Sequence, residues 1–171
     1  MKSVLIAIRP KWVEKIASGE KTIEVRKSAP QEVPFKAYIY ETKGETETPW
    51  ADEDGHLIFK GRGQVIGEFI CDRIEMVNAK CSDYGIDLFY HDCLTNGCLT
   101  EREIEKYFNI PEDRDLRAMK GNGYVWHISD LKIYDNPREL SEFGKVGFGH
   151  EVPLKRPPQS WMYIEDLGEE E

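Results

Sequence analysis

Apolar and polar residues change rhythm several times along the chain, and each change marks an element. Residues 3–8, Ser-Val-Leu-Ile-Ala-Ile, form an apolar run of strand length, as a buried first strand would. From Pro10 the rhythm becomes helical, with Trp12, Val13, Ile16 and Ala17 on one stripe over residues 10–18. Pro10 suits the first helical position, where its missing N–H lacks a helical partner anyway. Gly19 then ends the helix in the left-handed conformation that a Cβ disfavours. Residues 22–26 alternate: Ile23 and Val25 face one way, and Thr22, Glu24 and Arg26 the other. Pro30 and Pro34 mark a connection, and residues 37–41 have the aromatic and β-branched content of a central strand.

Residues 42–55 are polar and turn-rich, and Asp54-Gly55 is a hairpin signal ahead of Leu57-Ile58-Phe59. Gly61-Arg62-Gly63 is a tight connection that lacks the Lys-Ser/Thr ending of a phosphate loop. Residues 64–77 read as the longest strand, with Gly67 marking a bulge or a sharp bend. Residues 86–90 suggest a short helix. Thr100 and Glu103 have the spacing of a capping box, and Ile104, Tyr107 and Phe108 follow as an apolar face. Residues 124–134 predict a long strand broken by Asn136-Pro137, then a helical turn within 137–143, a glycine-rich loop over 144–149, and a closing strand over 160–164. Strands of unequal length with one early helix and a partly helical excursion predict an α+β mixed β-barrel rather than a doubly wound sheet. The expected organisation is a single domain over 1–168, an insertion at about 78–120, and an acidic tail at 169–171.

Composition narrows the class. Of 171 residues, 40% are hydrophobic and 11% aromatic, which fits a globular chain. No apolar run reaches the length of a membrane span, and residues 1–10 are too short for a secretory signal. Four cysteines in that context suggest reduced thiols and a cytoplasmic protein. The formal charge of -9 argues against wholesale coating of nucleic acid. Residues 1–30 nevertheless carry +4, which leaves -13 for the remainder. An acidic body with one basic region suits a local anionic ligand better than a long backbone track, although two of the five lysines there, Lys11 and Lys15, lie on the predicted helix.

Two constellations could carry chemistry. Glu24 and Arg26 share a strand face with Lys21 at its entrance, so they could present fixed donors and acceptors to a ligand, or form an ordinary solvated ion pair. Cys71, Cys81, His91, Cys93 and Cys98 offer zinc ligands but no Cys-x-x-Cys spacing, so no metal and no cofactor are expected. His56, His127 and His150 are scattered, and neither a Gly-x-Ser-x-Gly elbow nor a His-Glu-x-x-His helix occurs.

Gly19-x-Lys21-x-x-Glu24-x-Arg26, preceded by Ile8-Arg9-Pro10-Lys11-Trp12, resembles the signature of the ASCH (activating signal cointegrator homology) domain, of the PUA-like superfamily. Tyr124-Val125-Trp126-His127-Ile128 and Pro157-Pro158-Gln159-Ser160-Trp161 sit where such proteins carry their last strands, while residues 81–120 resemble the family least. The resemblance implies a PUA-like pseudobarrel with a cleft beside the signature strand and the first helix, close to Trp12, Tyr38, Tyr40, Trp126, Ser160 and Trp161. A ring there would stack on a base with about 1–3 kcal/mol, while Lys21 and Arg26 hold phosphate. Core packing is the competing role for these rings. The implied function is a nucleic-acid-binding module, with RNA or a modified nucleotide as partner and Lys21, Glu24, Arg26, Trp12, Tyr40, Trp126, Ser160 and Trp161 around a single nucleotide. Lys43, in the polar turn region, is expected to be a bystander. RNA against DNA, and the oligomeric state, are left open.

Some small ASCH proteins resemble amidohydrolases in which a lysine activates a threonine three residues on. Here Glu24 occupies that position and Thr22 is two residues too early. Glu101 and Glu103 lie where an assisting glutamate would come from. Lys21 and Glu24 would then take acid/base roles in a different hydrolysis, and binding ranks above catalysis.

Overall fold

A computed structural model describes residues 1–44, 50–51, 57–58, 60–112, 114–147 and 152–168. In chain order the elements are β1 (Lys2–Ile8), α1 (Pro10–Ala17), β2 (Ile23–Arg26), β3 (Phe35–Glu41), β4 (Trp50–Ala51), β5 (Leu57–Ile58), β6 (Val65–Cys71), β7 (Ile74–Asn78), α2 (Asp83–Thr95), α3 (Glu101–Phe108), β8 (Asn122–His127), β9 (Ser129–Arg138) and β10 (Trp161–Ile164). Short 3-10 turns lie at Leu116–Ala118 and Leu140–Glu142. These elements sort into two compact units, one of residues 1–17, 34–70 and 130–171, the other of residues 18–33 and 71–129.

In the first unit the strand order is β10-β1-β3-β6-β9. β1 runs antiparallel to β10, with Val4 opposite Tyr163, and parallel to β3, with Val4 opposite Ala37. With a strand on each side, Val4, Leu5 and Ile6 are all fully buried, which is why this segment reads as a continuous apolar run. Leu5, Tyr38, Tyr40, Val65, Phe143, Leu154 and Ile164 form one core. Gly67 serves a close approach rather than a bulge, since a Cβ there would lie 2.5 Å from the Lys132 carbonyl oxygen of β9.

In the second unit β2, β8 and β7 form an antiparallel sheet. Ile23, Val25, Val77 and Val125 pack with Ile86, Phe89 and Cys93 of α2, Ile104 and Phe108 of α3, Leu116 and Met119. Gly123 on β8 makes room for this packing, because a Cβ would lie 2.7 Å from Phe89 Cζ. The helices start as their caps dictate. Ser82 Oγ accepts the Gly85 N–H at 3.2 Å, and Thr100 and Glu103 form the expected capping box.

The architecture is α+β as expected, but among the described residues neither sheet closes into a barrel. Four other expectations change. Residues 64–77 are two strands, β6 and β7, in different sheets, interrupted at the polar pair Asp72-Arg73. Residues 124–134 likewise divide at Ile128 between β8 and β9. Pro137 does not break β9, which lies at the end of its sheet order, where a missing N–H donor is tolerated. The helix expected at 86–90 extends to 13 residues. Asp54-Gly55, His56, Phe59, His150 and the acidic tail lie outside the described residues, although β4 and β5 on either side of Asp54-Gly55 do pair antiparallel. No helix among the described residues is long and apolar enough to cross a membrane.

Candidate functional site

The Gly19–Arg26 signature folds locally as its residue types require. Gly19 adopts φ +79°, turning the chain out of α1, and β2 begins four residues later. The segment entering β2 is held to the end of α2. The N–H groups of Thr22 and Ile23 donate to the Asn96 carbonyl at 3.0 and 3.4 Å, and Lys21 Nζ donates to the Gly97 carbonyl at 2.8 Å. Gly97 fits only as glycine, since a Cβ would sit 2.6 Å from the Cys93 carbonyl oxygen.

Lys21, Glu24 and Arg26 are 3%, 5% and 9% exposed, so this strand face is buried and the solvated-ion-pair alternative does not hold. Arg26 contacts one carboxylate oxygen with two nitrogens, Nε and Nη2 each lying 2.9 Å from Glu24 Oε1. Lys21 Nζ lies 3.4 Å from the other oxygen, Oε2, which accepts no hydrogen bond. A buried carboxylate with one oxygen doubly hydrogen-bonded and the other held by the Lys21 ion pair without a hydrogen bond is incompletely satisfied. The three groups together carry a formal +1, in a setting where charge is costly to bury.

Neighbouring groups extend the cluster. Glu24 pairs with Trp126 across the strands, and Arg26 with Tyr124. Trp126 is fully buried. Tyr107 of α3 carries Lys27 Nζ 4.9 Å from its ring centre, and burial raises its phenol pKa against the opposing pull of Arg26. Gly97 and Tyr107 escape sequence reasoning because the first acts through its carbonyl and the second reads as helix core. Cys93 lies near Lys21, whose charge favours the thiolate, but burial dominates and pushes the thiol up to about 12. Thr22 is exposed.

Of the other expected ligand residues, Trp12, Tyr40, Ser160 and Trp161 belong to the first unit. Trp12 is half-buried with Lys11 Nζ 4.8 Å from its ring centre, and Tyr40 is buried in the core. Ser160 is half-buried and its carbonyl accepts the Ala7 N–H at 2.9 Å. Trp161 is half-buried and meets Tyr163 edge to face at 5.3 Å.

The cysteines and His91 do not gather. Among the described residues the one group with metal-ligand spacing is Glu75, Asp92 and His127, whose ligand atoms lie within 4.8 Å of one another. Arg73 Nη2 lies 3.0 Å from His127 Nδ1, and because a guanidinium only donates, Nδ1 must accept. The proton then sits on Nε2, 3.1 Å from Glu75 Oε1, so the nitrogen facing the carboxylates has no lone pair for a metal. These residues do not fit a metal site as arranged.

This arrangement has the fold of solved ASCH proteins. The structure superposes on the crystal structure of an ASCH protein from Zymomonas mobilis with a TM-score of 0.61 and 18% identity, covering 96% of this chain and 88% of that one. A variant of that protein with one tyrosine changed to phenylalanine gives a TM-score of 0.61 at 18% identity, over 96% and 91% of the two chains. A variant with one serine changed to alanine gives 0.62 at 17%, over 96% and 89%. No protein-family model and no curated protein matches the sequence.

Proposed function

We propose that this protein is a nucleic-acid-binding module that holds a single nucleotide of RNA, modified or not, against the Lys21–Glu24–Arg26 strand. One observation carries the reading: the cluster is buried and formally cationic, yet keeps a carboxylate oxygen, Glu24 Oε2, without a hydrogen bond. A nucleobase amino group would supply the missing donor, and a phosphate would offset the positive charge. The ASCH fold agrees with this reading, and four free cysteines agree with a reducing, cytoplasmic setting. Amidohydrolysis ranks second, because the cluster lacks an activated hydroxyl or thiolate: Thr22 is exposed and Cys93 is held as a thiol.

The test is an anisotropy titration of labelled single-stranded RNA, with and without modified bases. Arg26→Lys keeps the charge but loses the planar fork, and should weaken binding by about tenfold at little cost in Tm. Lys80→Ala, an exposed residue of the same unit, should bind as the wild type does. Equal affinities for Arg26→Lys and the wild type, or equal losses in the two variants, would reduce the face to a structural ion network.

A further inference from the structure

The turn at Gly61-Arg62-Gly63 uses all three of its N–H groups internally. Gly61 donates to the Lys43 carbonyl at 3.1 Å, Arg62 to Glu41 Oε2 at 2.8 Å, and Gly63 to the Glu41 carbonyl at 3.1 Å. It therefore has no free amides for an anion and is not a phosphate loop. Its glycines do something else. A Cβ on Gly61 would lie 1.8 Å from the Thr42 carbonyl oxygen, and one on Gly63, at φ +72°, would lie 2.4 Å from Lys43 Cε. The turn thus clasps Thr42 and Lys43 and lays the lysine side chain across Gly63.

Lys43 lines a groove of about 700 Å³ in the first unit, with Tyr40, Ser141, Leu154, Lys155 and Pro157 among the other walls. That volume is within the range of small-ligand sites. Tyr40 is 5% exposed, and its hydroxyl has no hydrogen-bond partner among the described residues. Burial, and then Glu139, raise its pKa, so the phenol stays a neutral donor. Lys43 and Lys155 are exposed and have no ion pair among the described residues. Glu139, the acidic member of the lining, is already engaged by Gln64 Nε2 at 2.5 Å.

We propose that this groove is a separate binding site for a small phosphate monoester, with Lys43 and Lys155 facing the phosphate and Tyr40 donating to it. Two ammonium groups outnumber the single Glu139 carboxylate of the lining and attract an anion, and the hydroxyls of Tyr40, Thr42 and Ser141 can serve the three terminal oxygens of a phosphate, one more than a carboxylate offers. Leu140, Pro153, Leu154 and Pro157 supply apolar walls for the esterified body. The site is independent of the Lys21–Glu24–Arg26 reading and either can fail alone. Lys43, expected to be a bystander, becomes one of its main contacts.

Uridine 5′-monophosphate, uridine and a 5′-hydroxyl oligouridine serve as probes in calorimetric titrations of the full chain. The monophosphate should bind at least about tenfold more tightly than uridine, and the oligouridine should be insensitive to Lys43→Ala and Lys155→Ala. Lys43→Ala and Lys155→Ala should each weaken the monophosphate by about tenfold, Tyr40→Phe by a few-fold with Tm unchanged, and Lys80→Ala not at all. Equal binding of monophosphate and uridine would overturn the proposal, as would wild-type affinity in both lysine variants. An oligouridine that binds more tightly than the monophosphate and is weakened by Lys43→Ala and Lys155→Ala would mean a strand track in the groove and also overturn it.

Discussion

At Glu24 a single carboxylate holds two buried cations, so its charge matters more than its shape. Glu24→Gln keeps the shape and removes the charge, leaving Lys21 and Arg26 without that counterion. The expected loss is about 3 kcal/mol, or roughly 6–12 °C in Tm for a chain of this size. Calorimetry of the variant checks this, and a Tm within a degree or two of wild type would mean that the cluster is more solvated than its burial indicates. The spacing of Lys21, Glu24 and Arg26 was legible in the sequence because β alternation fixes which side chains share a face. Their burial was not, because alternation says nothing of what covers that face. The lack of a hydrogen bond at Oε2 was equally invisible, since it depends on both arginine nitrogens meeting the same oxygen.

Among the elements, β3 and the segment after β10 are joined by side chains. Tyr38 donates to Asp166 at 2.6 Å, and Lys36 Nζ lies 3.4 Å from the same oxygen. Burial works against ionisation of Asp166, but the Tyr38 hydrogen bond and the Lys36 charge outweigh it, so the carboxyl titrates below its ordinary value. A folded value below the unfolded one means that the tie is fully present above about pH 4 and is lost as pH falls through the lowered value. The Tm difference between wild type and Tyr38→Phe should accordingly be constant from pH 5 to about 8 and shrink below pH 4. A difference independent of pH down to acid would assign the tie to packing alone. Caps and apolar runs made most elements readable, Thr100 and Glu103 above all. The two strand divisions were hidden because the hydrophobicity dips only at Asp72-Arg73, and because it does not dip at all at Ile128. In each case the strand pattern continues while the partner sheet changes.

Across the whole molecule the net charge of -9 opposes polyanions, so nucleic-acid binding has to be local. If two phosphates are neutralised at the Lys21–Glu24–Arg26 strand, log affinity for single-stranded RNA should fall with log salt at a slope of roughly -1.4. A titration series from low to physiological salt measures it, and a slope several times steeper would indicate diffuse adhesion. The α+β class was legible from the alternation of strand and helix rhythms. The groove of the first unit was not, because its walls come from residues 40, 42, 43, 63, 139–141, 153–155 and 157, distant in sequence and individually ordinary.

The register of β1 has a consequence for biosynthesis. One edge of this apolar strand is satisfied by β3 once the first 41 residues exist, but the other waits for β10, which ends at Ile164. At ribosomal speeds that interval is roughly 6–25 s, and throughout it the nascent chain carries a hydrophobic strand with one unmatched edge. Ribosome-bound chains stalled before residue 160 should therefore recruit chaperones, and emergence of β10 should end that dependence.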